Sequence, residues 1–234
     1  MALPQLNDTP KYDIVIPSLQ KTVKFRPFLV KEQKVLLMAL ESQDEKQIIN
    51  AIVDTVKSCA QEPLQTDRLT PFDVEYLFVK IRSKSVGEKS KVNIKCESCE
   101  ADNDVEINLD DIDISDKNKT KKIVLNKNYT LEMKYPTYKE VSSVVTKGQS
   151  VTSQLYSSII LSMDKLHTND ELIDMKEETW EEKENFIDSL TSEQFEKIIE
   201  FISNAPNLRY TAVFKCTSCG TENSRDLMGI RDFF

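Results

Sequence analysis

Glycine is scarce in this chain, with four in 234 residues. Neither G-x-G-x-x-G nor G-x-x-x-x-G-K-S/T occurs, which excludes the backbone cradles that hold phosphate in dinucleotide and P-loop sites. Histidine is scarcer still. His167 stands alone in Leu166-His167-Thr168-Asn169-Asp170, which reads as a polar loop, and no G-x-S-x-G nucleophile elbow occurs. Carboxylates are abundant, yet none sits in the apolar surround that tunes a catalytic acid. The expectation is a protein that is not an enzyme. No run of eighteen apolar residues exists, so no membrane span is expected. Met1-Ala2-Leu3-Pro4-Gln5 lacks the basic-then-apolar order of a signal peptide. The formal charge of −8 disfavours general nucleic-acid binding, whose affinity comes from lysine and arginine neutralising phosphates. The expectation from these absences is a protein made and kept in a reducing cytoplasm, where C-x-x-C pairs bind metal more often than they form disulfides.

Against this background two cysteine pairs stand out: Cys96-Glu97-Ser98-Cys99 and Cys216-Thr217-Ser218-Cys219. Each follows an apolar run ending in lysine, Lys95 or Lys215, and each precedes a short polar turn. Two such turns can complete a closed four-cysteine zinc shell, which has no open position for substrate and is a structural staple. The pairs are 116 residues apart, from Glu100 to Lys215, where zinc modules of this form usually leave ~15–20. The ribbon would therefore be split by an inserted subdomain. Two reduced or opportunistically oxidised pairs without a metal are the alternative. A thioredoxin-like role fits poorly, because that motif opens a helix in a βαβ unit. The fifth cysteine, Cys59, lies on an apolar helix face and reads as a small core residue.

The pattern along the chain predicts an α+β fold. Alternation at Tyr12, Ile14, Ile16 and at Val23, Phe25 gives an N-terminal hairpin around Pro17–Gln20. Helices follow from Val30, from a capping box at Ser42 and Glu45, and from Thr70-Pro71. Strands then flank the first cysteine pair, 110–122 reads as a solvated linker, and Ile123–Leu125 with Tyr129–Met133 form another hairpin. A second helical block begins at Thr137-x-x-Glu140, carries Leu155, Ile159, Ile160 and Met163, and includes a helix with Phe186 and Leu190 after the acidic run around Trp180. It closes with a helix capped by Thr191-x-x-Gln194. Tyr210, Ala212 and Phe214 lead into the second pair. The resulting divisions are 1–86, a hairpin plus helical block; 87–135, the first C-x-x-C hairpin and strands; 136–205, an inserted helical block; and 206–234, the second C-x-x-C hairpin and tail. The small antiparallel sheets include a split zinc-ribbon-like element held by Cys96, Cys99, Cys216 and Cys219 around Zn2+. The helices from 137 to 204 would start and return at the same place.

One stretch carries more than its periodicity. Ala2-Leu3-Pro4-x-Leu6, Ile16-Pro17-Ser18 and then Val23-Lys24-Phe25-Arg26-Pro27-Phe28-Leu29-Val30-Lys31-Glu32-Gln33-Lys34 with the apolar helix after it resemble the T4-like phage baseplate hub subunits and hub assembly proteins. The resemblance is closest over the first 85 residues and extends to the whole chain in layout. It implies a structural or assembly protein of the contractile-tail baseplate. Such a protein is made in the host bacterial cytoplasm and acts through contacts with other baseplate, hub and tail proteins in a multi-subunit assembly. Apolar anchors carry most of the energy in such contacts. Candidate partner-binding residues are Phe25, Phe28, Phe233 and Phe234, each of which also suits a core. The alternative function is a zinc-ribbon factor associated with nucleic acid or regulation.

Overall fold

The alternation between Tyr12 and Phe25 produces a hairpin of β1 (Tyr12–Ile16) and β2 (Lys21–Phe25), with Ile14, Ile16, Val23 and Phe25 turned into the core. The computed structural model describes residues 9–115, 118, 120–144 and 150–233. It separates into two compact units, one built from the chain up to Ser115 and from Asn207 onward, the other from the segment between.

In the first unit, α1 (Val30–Glu41), α2 (Glu45–Cys59) and α3 (Pro71–Val86) follow the hairpin. The cap of α2 is Asp44 rather than the expected Ser42. Asp44 Oδ1 accepts the N–H groups of Lys46 and Gln47, while Ser42 Oγ turns back to donate to the Ala39 carbonyl. Thr70 caps α3 as expected, with Asp73 completing the box and Pro71 at the first helical position, where its missing N–H costs no bond. Asp73 is fully buried and also accepts from the Ser18 N–H and Oγ, which fixes the hairpin turn to the start of α3. Gly87, with φ of 121°, ends α3 in a conformation that other residues rarely adopt.

β3 (Lys89–Lys95) and β4 (Asp102–Asn108) form the hairpin that carries the first cysteine pair. Over 110–115 the segment after it is not the solvated linker expected for 110–122. A 3₁₀ turn at Leu109–Asp111 leads into β5 (Asp113–Ser115), and Leu109 and Ile112 are fully buried. Lys80 Nζ donates to the carbonyls of Asp110 and Ile112, and Lys84 Nζ pairs with Asp110 Oδ2 at 2.7 Å. Asp110 therefore has a cationic partner on α3, and the backbone on either side of Asp111 is held there too. Asp116, Lys117 and Lys119 lie outside the described residues.

The inserted unit contains β6 (Lys122–Val124), β7 (Thr130–Met133), α4 (Tyr138–Val144), α5 (Val151–Ser162), β8 (Met163–His167), β9 (Leu172–Asp174), α6 (Trp180–Asp188) and α7 (Ser192–Ser203). Its sheet runs β6-β7-β8-β9, antiparallel throughout. Leu131 and Met133 from the sheet pack with Ile159, Ile160, Ile198 and Phe201 from the helices. The capping boxes at Thr137 and Thr191 form as expected, and Thr179 with Glu182 makes another. α6 thus begins inside the acidic run and stops before Leu190. His167 is on β8 rather than in a loop, and its Nε2 lies 2.7 Å from Glu132 Oε2 on β7.

The chain re-enters the first unit through β10 (Asn207–Lys215) and ends with β11 (Glu222–Met228) and a 3₁₀ turn at Ile230–Phe233. β10 pairs with β11 and, at its start, with β5, so Ser115 lies directly opposite Asn207. The chain leaves this sheet at Ser115 and re-enters it at Asn207, neighbouring points on paired strands. The two cysteine hairpins share one core with Val92, Ile94, Val105, Ile107, Leu208, Ala212, Leu227 and Phe233. With seven helices among the described residues and small antiparallel sheets, the fold class is α+β.

Candidate metal centre

Each cysteine pair occupies the tip of a hairpin, and the two tips are built alike. The N–H of Cys96 bonds to the Ala101 carbonyl at 2.9 Å, and that of Cys216 bonds to the Thr221 carbonyl at 2.8 Å. Glu100 and Gly220 each donate back to the first cysteine's carbonyl at 3.0 Å, and both have positive φ, 59° and 75°. Ser98 and Ser218 each point an N–H at the first sulfur, at 3.4 Å. Such turns direct both side chains of a pair to one side, and the shared core presses the two turns against each other.

The four sulfurs consequently converge, all lying within 4.8 Å of one another. Cys96 Sγ is 3.7 Å from Cys219 Sγ, and Cys99 Sγ is 3.7 Å from Cys216 Sγ. A disulfide needs about 2 Å, and all four thiols are free. A tetrahedron with Zn–S bonds of about 2.3 Å has edges of about 3.8 Å, which matches these separations. The donor set therefore fits a metal ion held by four thiolates. Neither pair opens a helix, the position a thioredoxin-like motif takes.

The electrostatics suit a cation. The Cys216 thiol is drawn down to about 6, first by the N–H groups of Cys219 and Ser218. Cys99 is pushed up to about 12, because its neighbouring sulfurs outweigh the pull of the Ala101 N–H. Four crowded sulfurs cannot all ionise on their own account, and a dication at their centre removes that conflict.

Two asparagines complete the arrangement. Asn103 Oδ1 accepts the Thr217 N–H at 2.9 Å and Asn223 Oδ1 accepts the Glu97 N–H at 3.0 Å, so each hairpin holds the opposite turn. Their Nδ2 groups donate to Ala101 and Thr221 on their own turns, at 2.8 and 2.9 Å. Both asparagines are buried. Neither was among the residues expected at the site, although a signal was there: Lys-Cys-x-Ser-Cys-x-x-Asp/Glu-Asn occurs at 95–103 and again at 215–223.

The aromatic candidates divide differently. Phe25 is 1% exposed and Phe233 fully buried, so both are core residues and present no surface to a partner. Phe28 is half-buried, its N–H bonded to Ser85 Oγ at 2.9 Å. Phe234 and residues 2–6 lie outside the described residues. Cys59 is fully buried, as expected, and burial pushes its thiol up to about 11. Among the described residues no helix is long and apolar enough to cross a membrane.

A family model described as T4 bacteriophage base plate protein matches residues 9–234. No curated protein and no solved structure matches the chain. The match takes in both cysteine hairpins and the whole inserted unit: the chain belongs to the family of T4 bacteriophage base plate proteins.

Proposed function

We propose that this protein is a structural subunit or assembly factor of the baseplate hub of a contractile-tailed phage. It works through protein–protein contacts and carries one structural Zn2+ on Cys96, Cys99, Cys216 and Cys219. Family membership supports the baseplate role. The observation that carries the zinc assignment is the 3.7 Å spacing of sulfurs drawn from two hairpins, which suits a closed tetrahedral shell. In that role the metal would bind no substrate and would tie the middle of the chain to its end, so that metal-binding energy becomes folding energy. The protein would be made in the host cytoplasm and be located in the tail baseplate among hub and tail subunits.

Metal analysis of protein purified without chelator tests the site, with one zinc per chain expected. A content below about 0.2 per chain would contradict the four-cysteine shell. Recovery of the protein with baseplate intermediates from infected cells tests the role. Salt-sensitive DNA binding by the purified chain would instead favour a nucleic-acid function. Ion pairs on the cysteine hairpins, Lys89 with Glu106 and Arg225 with Glu97, weigh against that outcome.

A further inference from the structure

α1 is built inside out. Its buried positions are Glu32 and Ala39, and the Glu32 carboxylate is turned inward to Arg26 and to the Leu29 N–H, at 2.9 and 2.8 Å. Its large apolar side chains face solvent: Val30, Val35, Leu37, Met38 and Leu40 are between 50% and 79% exposed. Single exposed apolar residues need no explanation, but Val30, Leu37 and Met38 lie within about 100° of one another on the helix, flanked by Val35 and Leu40, and form a face of the kind that marks an interaction site.

The charges on that face show what would cover it. Val30, Lys34, Leu37 and Glu41 follow one another at i, i+4, i+7 and i+11, a single line along the helix. Lys34 and Glu41 are exposed, and among the described residues neither has an ion-pair partner on this chain. They are equally distant from the midpoint between Leu37 and Met38, about 5 Å to either side at the rise of an α-helix. We propose that this face pairs with the same face of a second copy of the chain, the two α1 helices lying antiparallel across a two-fold axis at Leu37 and Met38. In that register Lys34 of each copy meets Glu41 of the other, and the leucine and methionine pairs close the centre. The face is self-complementary in shape class and in charge, as an isologous contact requires. One helix pair is a small interface, so association should be reversible and concentration-dependent.

Sedimentation velocity on the full chain, from micromolar to submillimolar concentration at low salt, tests the pairing. A monomer–dimer equilibrium is expected, and Leu37→Asp should abolish it. Lys34→Glu and Glu41→Lys should each weaken it about tenfold or more, because each places like charges opposite one another twice. Mixing the two charge variants should restore association as a 1:1 heterodimer, since one copy is then acidic and the other basic at both positions. Circular dichroism and zinc content identical to wild type show that a variant is folded. A chain that stays monomeric throughout overturns the proposal, and the face is then left to another protein or to residues 1–8. A dimer indifferent to all three substitutions overturns it too, by placing the contact elsewhere.

Discussion

Asn103 holds Thr217 across 114 positions of sequence: its Oδ1 accepts the Thr217 N–H at 2.9 Å and the hydroxyl at 3.1 Å. Asn223 returns the bond to Glu97 from the other hairpin. The two turns are therefore braced in position beside the sulfurs by side chains that do not contribute ligands.

Asn103→Ala and Asn223→Ala take away the partners of the Thr217 and Glu97 N–H groups, at a cost of about 1 kcal/mol each. Zinc affinity should fall about 10- to 100-fold, the usual effect of removing an outer partner of a metal site. Competition with a chromophoric chelator measures the affinity, and denaturant titration the stability. Unchanged zinc affinity in both variants would reduce the asparagines to ordinary turn residues.

Zinc removal should unfold part of the molecule. Chelator, or Cys→Ser at Cys96 or Cys216, should lower the melting temperature and expose amides of β3, β4, β10 and β11 to hydrogen exchange. Amides of the inserted unit's core around Leu131 and Ile198 should stay protected. Equal loss of protection in both units would show that the metal is not a local staple.

The insertion should be removable. Because Ser115 and Asn207 are opposite one another on paired strands, a short turn can replace residues 116–206 without stretching the sheet. The shortened chain is expected to fold and bind one zinc, measured by circular dichroism and metal analysis. An unfolded, metal-free product would show that the outer unit depends on its insertion.

Asp73 should prove one of the most sensitive non-cysteine positions. Its buried carboxylate accepts from Ser18 and Thr70, and Asp73→Ala removes the α3 cap together with the tie to the hairpin turn. A loss of about 3 kcal/mol is expected in denaturant unfolding. Ser18→Ala, which removes only one of these bonds, should cost about 1 kcal/mol.

Glu32 sets an acid limit on stability. Burial alone would raise its pKa, but the Arg26 bond, the Leu29 N–H and the charges of Arg26 and Lys31 hold it below the ordinary 4.5. The folded value being the lower one, its contribution is complete above about pH 4.5 and is lost as pH falls through the folded value. Glu32→Gln should lower stability at neutral pH and flatten its dependence on pH below 4.5, as followed by urea unfolding at a series of pH values.

Local signals were legible wherever neighbours in sequence are also neighbours in space. The β1–β2 alternation, the Thr70-Pro71 start and the Thr191–Gln194 box are complete within a few residues, and each formed as read. Ser42 failed as a cap because Asp44, two residues on, offers a carboxylate to the same helix end. The 110–115 stretch read as linker because its one fully buried apolar residue, Ile112, follows two acids, and the bonds that hold the stretch, from Lys80 to the carbonyls of Asp110 and Ile112 and from Lys84 to the Asp110 carboxylate, come from α3. β8 and β9 escaped notice because they are short and are stabilised by pairing, β8 with β7 and β9 with β8.

The sequence by itself determined the cysteine content of the site, the two C-x-x-C turns and the need for an insertion between them, because a turn's hydrogen bonds are closed locally. Tertiary structure alone decided that the turns face each other at 3.7 Å, that Asn103 and Asn223 cross between them, and that Phe25 and Phe233 are core. It also turned the apolar side of α1 outward, by burying Glu32 against Arg26. Apart from the Glu32–Arg26 pair, which is close in sequence and is held by the bond from Arg26 to the Ser58 carbonyl on α2, each of these depends on contacts between residues far apart in the chain, which spacing along the sequence does not encode.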